Sequence, residues 1–110
     1  MKDIRRNLTM LCDFYELTMA NGYYVSGIGD KIVYFDVFYR ENPDNGGFAV
    51  AAGLEQVVEY IRDLNFTEED IDFLRGKGCF SEEFLARLRK FRFTGDIWAI
   101  PEGTVVFPGE

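Results

Sequence analysis

The stretch KIVYFDVFYRENPDNGGFAVAAGLEQVVEYIRDL, Lys31 to Leu64, decides how the chain folds, because it passes from strand pattern to turn to helix without a break. Lys31 to Arg40 is dense in β-branched and aromatic residues, the composition of a strand. Val33, Phe35, Val37 and Tyr39 share one face; Ile32, Tyr34, Asp36, Phe38 and Arg40 share the other. Both faces are largely apolar, which predicts a strand covered on both sides. Asp36 and Arg40 would stand about 13 Å apart along it, too far to pair directly. Glu41 to Gly47 reads as a turn: Pro43 presets one backbone angle, and Asn45-Gly46-Gly47 permits positive φ. Phe48 to Ala52 then returns as a second strand of a long-looped hairpin. Glycines in such a loop can cradle a phosphate, but the Gly-Lys-Ser/Thr ending of a P-loop is absent. After Gly53, the residues Leu54, Val57, Val58, Ile61 and Leu64 recur at helical spacing.

Downstream, Thr67 reads as the cap of a second helix with Glu68, Glu69 and Asp70 in its first turn, and Gly76 and Gly78 end it. That capping logic explains the acids better than a metal site does. Ser81 caps a third helix with Phe84, Leu85, Leu88 and Phe91 pointing inward. The densest basic cluster, Arg87 to Arg92, falls at its end, where cations complement the helix dipole. The last segment, RFTGDIWAIPEGTVVFPGE, divides into a strand at Asp96 to Ile100, a Pro101-Glu102-Gly103 turn and a strand at Thr104 to Phe107. The hairpin suggests a hammerhead-like β motif. Lipoyl- and biotin-carrier domains use similar hairpins but place a lysine at the exposed turn, and no lysine follows Lys90 here. Helix, two strands, three helices and two strands make an α+β fold with a mainly antiparallel sheet. The chain of 110 residues is expected to be one domain, truncated after a strand that lacks a sheet partner.

Composition narrows the functional classes. With 19 acids against 12 bases the net charge is −7, which argues against nucleic-acid binding. There is no histidine, so the commonest general base and metal ligand are both missing. Cys12 and Cys79 stand alone, with neither metal spacing nor a disulfide framework. No segment reaches the roughly 18 apolar residues of a membrane span, and no apolar run follows Lys2, Arg5 and Arg6 before Asp13. A cytoplasmic protein without metal, nucleic-acid or membrane partners is expected.

The amino end, NLTMLCDFYELTMANGYY (Asn7 to Tyr24), crowds three tyrosines into a short stretch. On a helix from Asp13 to Ile28, Phe14, Leu17, Tyr24, Val25 and Ile28 gather on one side with Thr18 and Asn21 among them. Tyr15 lies about 100° round from Phe14, beside Gly22 and near Met19. Gly22 leaves the helix surface open there, so a flat ligand or another chain can approach a ring that offers both a stacking face and a hydroxyl. A rim tyrosine that only closes the core fits the same periodicity.

The segments CDFYELTMANGYYVSG, FDVFYRENPDNGGFAVAAGLEQVVEYI, FTEEDIDFL and FTGDIWAIPEGTVVFPGE together resemble the amino-terminal region of nicotinate phosphoribosyltransferases, nearly end to end and in order. Cys12 stands where the family usually has threonine. The resemblance implies an enzyme joining nicotinate to phosphoribosyl pyrophosphate to give nicotinate mononucleotide and pyrophosphate, a step of NAD salvage. It also implies coupling to ATP, with Mg, through a phosphorylated histidine. The implied fold is an α/β amino-terminal domain of the nicotinate/quinolinate phosphoribosyltransferase type, followed by a barrel that holds the phosphate sites. A homodimer is implied in which this domain completes the partner subunit's site: Tyr15 stacks on the pyridine ring and Asp13 lies close by. These 110 residues alone, without a histidine or a phosphate loop, are then expected to be inert, to bind neither ATP nor Mg, and to self-associate through apolar surface. A nicotinamide or quinolinate phosphoribosyltransferase, and a non-catalytic binding or dimerisation module, are the alternatives.

Overall fold

The computed structural model describes residues 6–109. In chain order it contains α1 (Phe14–Val25), a 3-10 turn (Pro43–Asn45), β1 (Ala49–Val50), α2 (Leu54–Arg62), α3 (Glu68–Arg75), α4 (Glu82–Arg89) and β2 (Val105–Val106). Helices with one antiparallel strand pair make the architecture α+β. The chain divides into two compact units, one of residues up to Lys31 with Tyr60–Thr94, the other of Ile32–Glu59 with Gly95 onward.

The first unit holds a hydrophobic core. Ile71 and Leu74 of α3 are 0% exposed, and they pack with Phe84, Leu85 and Leu88 of α4, Leu17 of α1 and Phe66. Full burial of a side chain of this size stabilises by about 1.5–3 kcal/mol. Both helices start as their sequences dictate. Thr67 Oγ1 accepts from the Asp70 N–H while Asp70 accepts from the Thr67 N–H, a reciprocal capping box. Ser81 Oγ accepts from the Phe84 N–H at 3.1 Å. Arg75 bonds Glu82 at 2.9 Å and Arg89 pairs with Glu68, linking α3 to α4 across the surface. The segment before α1 is fastened too: Asn65 N–H donates to the buried Thr9 hydroxyl at 2.9 Å, and Asn7 Nδ2 donates to the Asn65 carbonyl at 2.9 Å.

The second unit is held by backbone bonds. β1 pairs with β2 in the register Ala49↔Val106 and Val50↔Val105. The ladder continues as Ala51 N–H to Thr104 O and Gly103 N–H to Ala51 O, both 2.8 Å. Gly103, at φ +81°, occupies the position where a type II turn from Pro101 to Thr104 needs a left-handed residue. Glu102 Oε2 accepts from the Gly53 N–H at 2.9 Å, so a carboxylate sits at the positive start of α2. The Tyr39 hydroxyl lies 2.8 Å from the Val106 carbonyl and 3.0 Å from Asn42 Oδ1; its one proton serves the shorter contact.

Four expectations change here. Lys31 to Arg40 is not a covered strand: it carries no ladder, and Tyr34 and Val37 are 92% and 97% exposed. Asp96 to Ile100 likewise lacks a ladder. Neither local hairpin forms, because Phe48 to Ala52 and Thr104 to Phe107 pair with one another instead. Alternation marks a segment that can be a strand, but a ladder needs a partner, and the partner chosen is distant in sequence. In the Glu41–Gly47 loop, positive φ falls on Asn45 and also on Asp44, both at 54°, not on Gly46.

Candidate functional site

Helix α1 carries both residues singled out from sequence, and its attachment determines where they point. Leu17 is its buried residue. Phe14 meets Phe80 edge-on at 5.7 Å, and Tyr24 lies 6.1 Å from Phe84 with the Arg87 guanidinium 5.5 Å above its ring. Asn21 fixes the helix further: its Oδ1 accepts from the Ser81 N–H at 3.1 Å and its Nδ2 donates to the Cys79 carbonyl at 3.5 Å. That amide therefore binds both sides of the turn leading into α4. Sequence periodicity placed Asn21 in the apolar stripe but not in this role; a polar amide inside an inward-facing stripe is the signal that it has a partner.

The helix ends at Val25, short of the expected Ile28, and of the five-residue stripe only Leu17 is buried; Phe14, Val25 and Ile28 stay exposed. With about 100° per residue, Tyr15, Met19 and Gly22 fall within one narrow face opposite Leu17. Tyr15 is 58% exposed and Met19 is exposed as well. A Cβ placed on Gly22 would meet no atom within 4 Å, so this face is open to an approaching flat group. The Thr18 hydroxyl donates to the Tyr15 backbone carbonyl at 3.0 Å, a bond in which the phenol takes no part.

Asp13 stands at the N-cap position with extended backbone, and its side chain makes no capping bond. Cys12, Glu16 and Tyr60 share this end of the helix. Burial pushes the Cys12 thiol up, reinforced by Glu16 and then Asp13. Burial likewise raises the Tyr60 phenol, with further contributions from Cys12 and Glu16. Both shifts favour the protonated thiol and phenol over their anions. What remains is an exposed aromatic face that can stack a planar ring, with Asp13 and Glu16 exposed on other sides of the same helix end.

Elsewhere in the same unit a shallow depression of about 480 Å³ is lined by Tyr24, Asp30, Ser81, Glu83 and Arg87 among others. Two of its charged groups, Arg87 and Asp30, pair with one another at 2.7 Å. Within the basic cluster at the end of α4, Arg89 pairs with Glu68. Among the described residues no group of three or more acids or cysteines could hold a metal ion, and no helix is long and apolar enough to cross a membrane.

Residues 10–110 match the family described as the nicotinate phosphoribosyltransferase N-terminal domain. The chain is 46% identical over 101 residues to nicotinate phosphoribosyltransferase pncB2 of Mycobacterium tuberculosis, covering 92% of this chain and 22% of that protein. It is 36% identical over 104 residues to nicotinate phosphoribosyltransferase of Bacillus subtilis, covering 94% and 21%. With nicotinate phosphoribosyltransferase 1 of Arabidopsis thaliana the identity is 38% over 102 residues, covering 90% and 18%. The chain thus spans about a fifth of the length of these relatives.

Proposed function

The chain belongs to the family of nicotinate phosphoribosyltransferase amino-terminal domains, and from that premise we propose that it serves a protein joining nicotinate to phosphoribosyl pyrophosphate, with release of pyrophosphate. The observation that carries this reading is the 46% identity spread over 92% of the chain. The rest of the machinery lies outside these residues. They contain no histidine for ATP to phosphorylate, and the described ones offer no cluster suited to Mg, so no step through either is assigned to them. The expected homodimer, the cytoplasmic location and the hammerhead-like motif belong to the same proposal.

Within it, Tyr15 stacks on the pyridine ring, and Gly22 leaves room for the ring to slide over α1. Stacking of this kind is worth about 0.5–1.5 kcal/mol, enough to orient a substrate but far below the roughly 8 kcal/mol of micromolar binding. Asp13, at the start of the same helix, is the second candidate for the substrate site.

The test is product formation from nicotinate and phosphoribosyl pyrophosphate, with and without ATP, by a protein of the relatives' length carrying this domain. Wild type is compared with Tyr15→Ala, and nicotinamide and quinolinate are offered as competing acceptors. Nicotinate should be preferred, and the variant's nicotinate KM should rise about tenfold, the equivalent of about 1.4 kcal/mol. Preference for another acceptor, or no product at all, refutes the reaction. An unchanged KM refutes the role of Tyr15 alone.

A further inference from the structure

Asn-Gly occurs twice in this chain, at Asn21-Gly22 and at Asn45-Gly46. The pair is chemically labile because glycine has no Cβ to obstruct its own nitrogen. Once it has lost its proton, that nitrogen can attack the side-chain Cγ of the preceding asparagine. A nitrogen–carbon bond closes a five-membered imide and the side-chain amide leaves as ammonia. Water then opens either imide carbonyl, giving aspartate or its β-linked isomer. One side-chain amide and one water are consumed; one carboxylic acid and one ammonia are formed. The reaction requires a glycine N–H that can be freed and an asparagine side chain that can swing toward it.

The two pairs differ in both respects. Gly22 lies inside α1, where its N–H belongs to the helix ladder. The Asn21 amide is engaged at both ends, accepting from the Ser81 N–H and donating to the Cys79 carbonyl. Asn45 is exposed, and its side chain has no hydrogen-bond partner among the described residues. Its backbone is left-handed at φ 54°, as is that of Asp44. The restraint on Gly46 is one bond, from its N–H to the Pro43 carbonyl at 2.9 Å, closing a single 3-10 turn. Short 3-10 turns on a surface open with little cost.

We propose that Asn45 is a site of deamidation in the native protein, and that the fold protects Asn21 from the same reaction. Conversion at Asn45 places a second carboxylate directly beside Asp44, where like charges repel. The β-linked product also inserts an extra carbon into the backbone, which carries the Gly46 N–H away from the Pro43 carbonyl. Modification therefore opens the turn that slowed it.

The experiment incubates the full chain at mildly alkaline pH, in native buffer and in guanidinium chloride. Both Asn-Gly peptides are then quantified by mass spectrometry, with fragmentation that separates aspartate from its β-linked isomer. In native buffer Asn45 should convert roughly tenfold faster than Asn21 or more, because reaction at Asn21 must wait for the helix to open. In denaturant the two rates should converge to within a few-fold. A native rate at Asn45 as slow as at Asn21, or Asn21 keeping pace with Asn45, overturns the proposal.

Discussion

The two units of this chain use similar apolar material in opposite ways. In the helical unit, Ile71, Leu74 and Leu85 are all but sealed from solvent, and phenylalanines meet in stacked and edge-on pairs around them. In the other unit, Tyr34, Phe35, Val37 and Trp98 are almost wholly exposed, and its order comes from the β1–β2 ladder, the Pro101–Thr104 turn and the Tyr39 hydroxyl. The difference follows from secondary structure. A helix satisfies its own backbone and can bury a stripe as soon as another helix arrives. A strand needs a neighbour for its backbone before its side chains are of use.

The largest test of that contrast is a pair of truncations. Leu85→Ala should cost about 2–5 kcal/mol in urea unfolding of the chain. Val37→Ala should stay within about 0.5 kcal/mol. Equal losses would mean that residues 32–38 already contribute to a core. Tyr39→Phe removes the hydroxyl that serves the Val106 carbonyl, and should destabilise by about 1 kcal/mol. Amide exchange should report this as faster opening at Val106 and Gly109, with α3 and α4 unaffected. Gly22→Ala probes the open face of α1: with no atom in reach of the new methyl, the helix should gain about 0.5–1 kcal/mol.

The smallest effect concerns Glu82. Its carboxyl is held below the ordinary 4.5, first by the hydrogen bond from Arg75 and then by charge. A lowered folded value adds stability that is fully present above the ordinary carboxylate value and disappears as pH falls through the lowered one. Arg75→Gln should return the Glu82 titration midpoint, followed by NMR, toward its ordinary value while leaving the neutral-pH fold intact. An unmoved midpoint would show that the pair does not persist in solution.

Much of the helical unit could be read directly from the sequence. The Thr67 and Ser81 caps, the acids of the first turns and the inward positions 84, 85 and 88 all follow from local rules, and the structure has them. The second unit was legible only as extended composition. Its pairing joins Ala49 to Val106, and no local period encodes a register between segments so far apart. The Glu102 carboxylate at the start of α2 was hidden for the same reason, since sequence distance separates a cap from its helix. At the candidate site, the openness at Gly22 was visible as a missing side chain. The rotation of α1 was not, because it depends on which residue the core accepts, and only Leu17 entered.

The Asn21 amide adds an indexing function to α1. It fastens the helix to Cys79 and Ser81 by a side chain with a single azimuth, and Leu17 enters the core at nearly the same azimuth one turn earlier. The helix is therefore locked in phase as well as in place. Insertion of one residue between Leu17 and Asn21 would set these two locks about 100° out of step. Whichever lock prevailed, the face carrying Tyr15 would no longer coincide with the notch at Gly22. In this helix rotational phase, more than sequence identity at any one position, decides whether ring and notch share a surface.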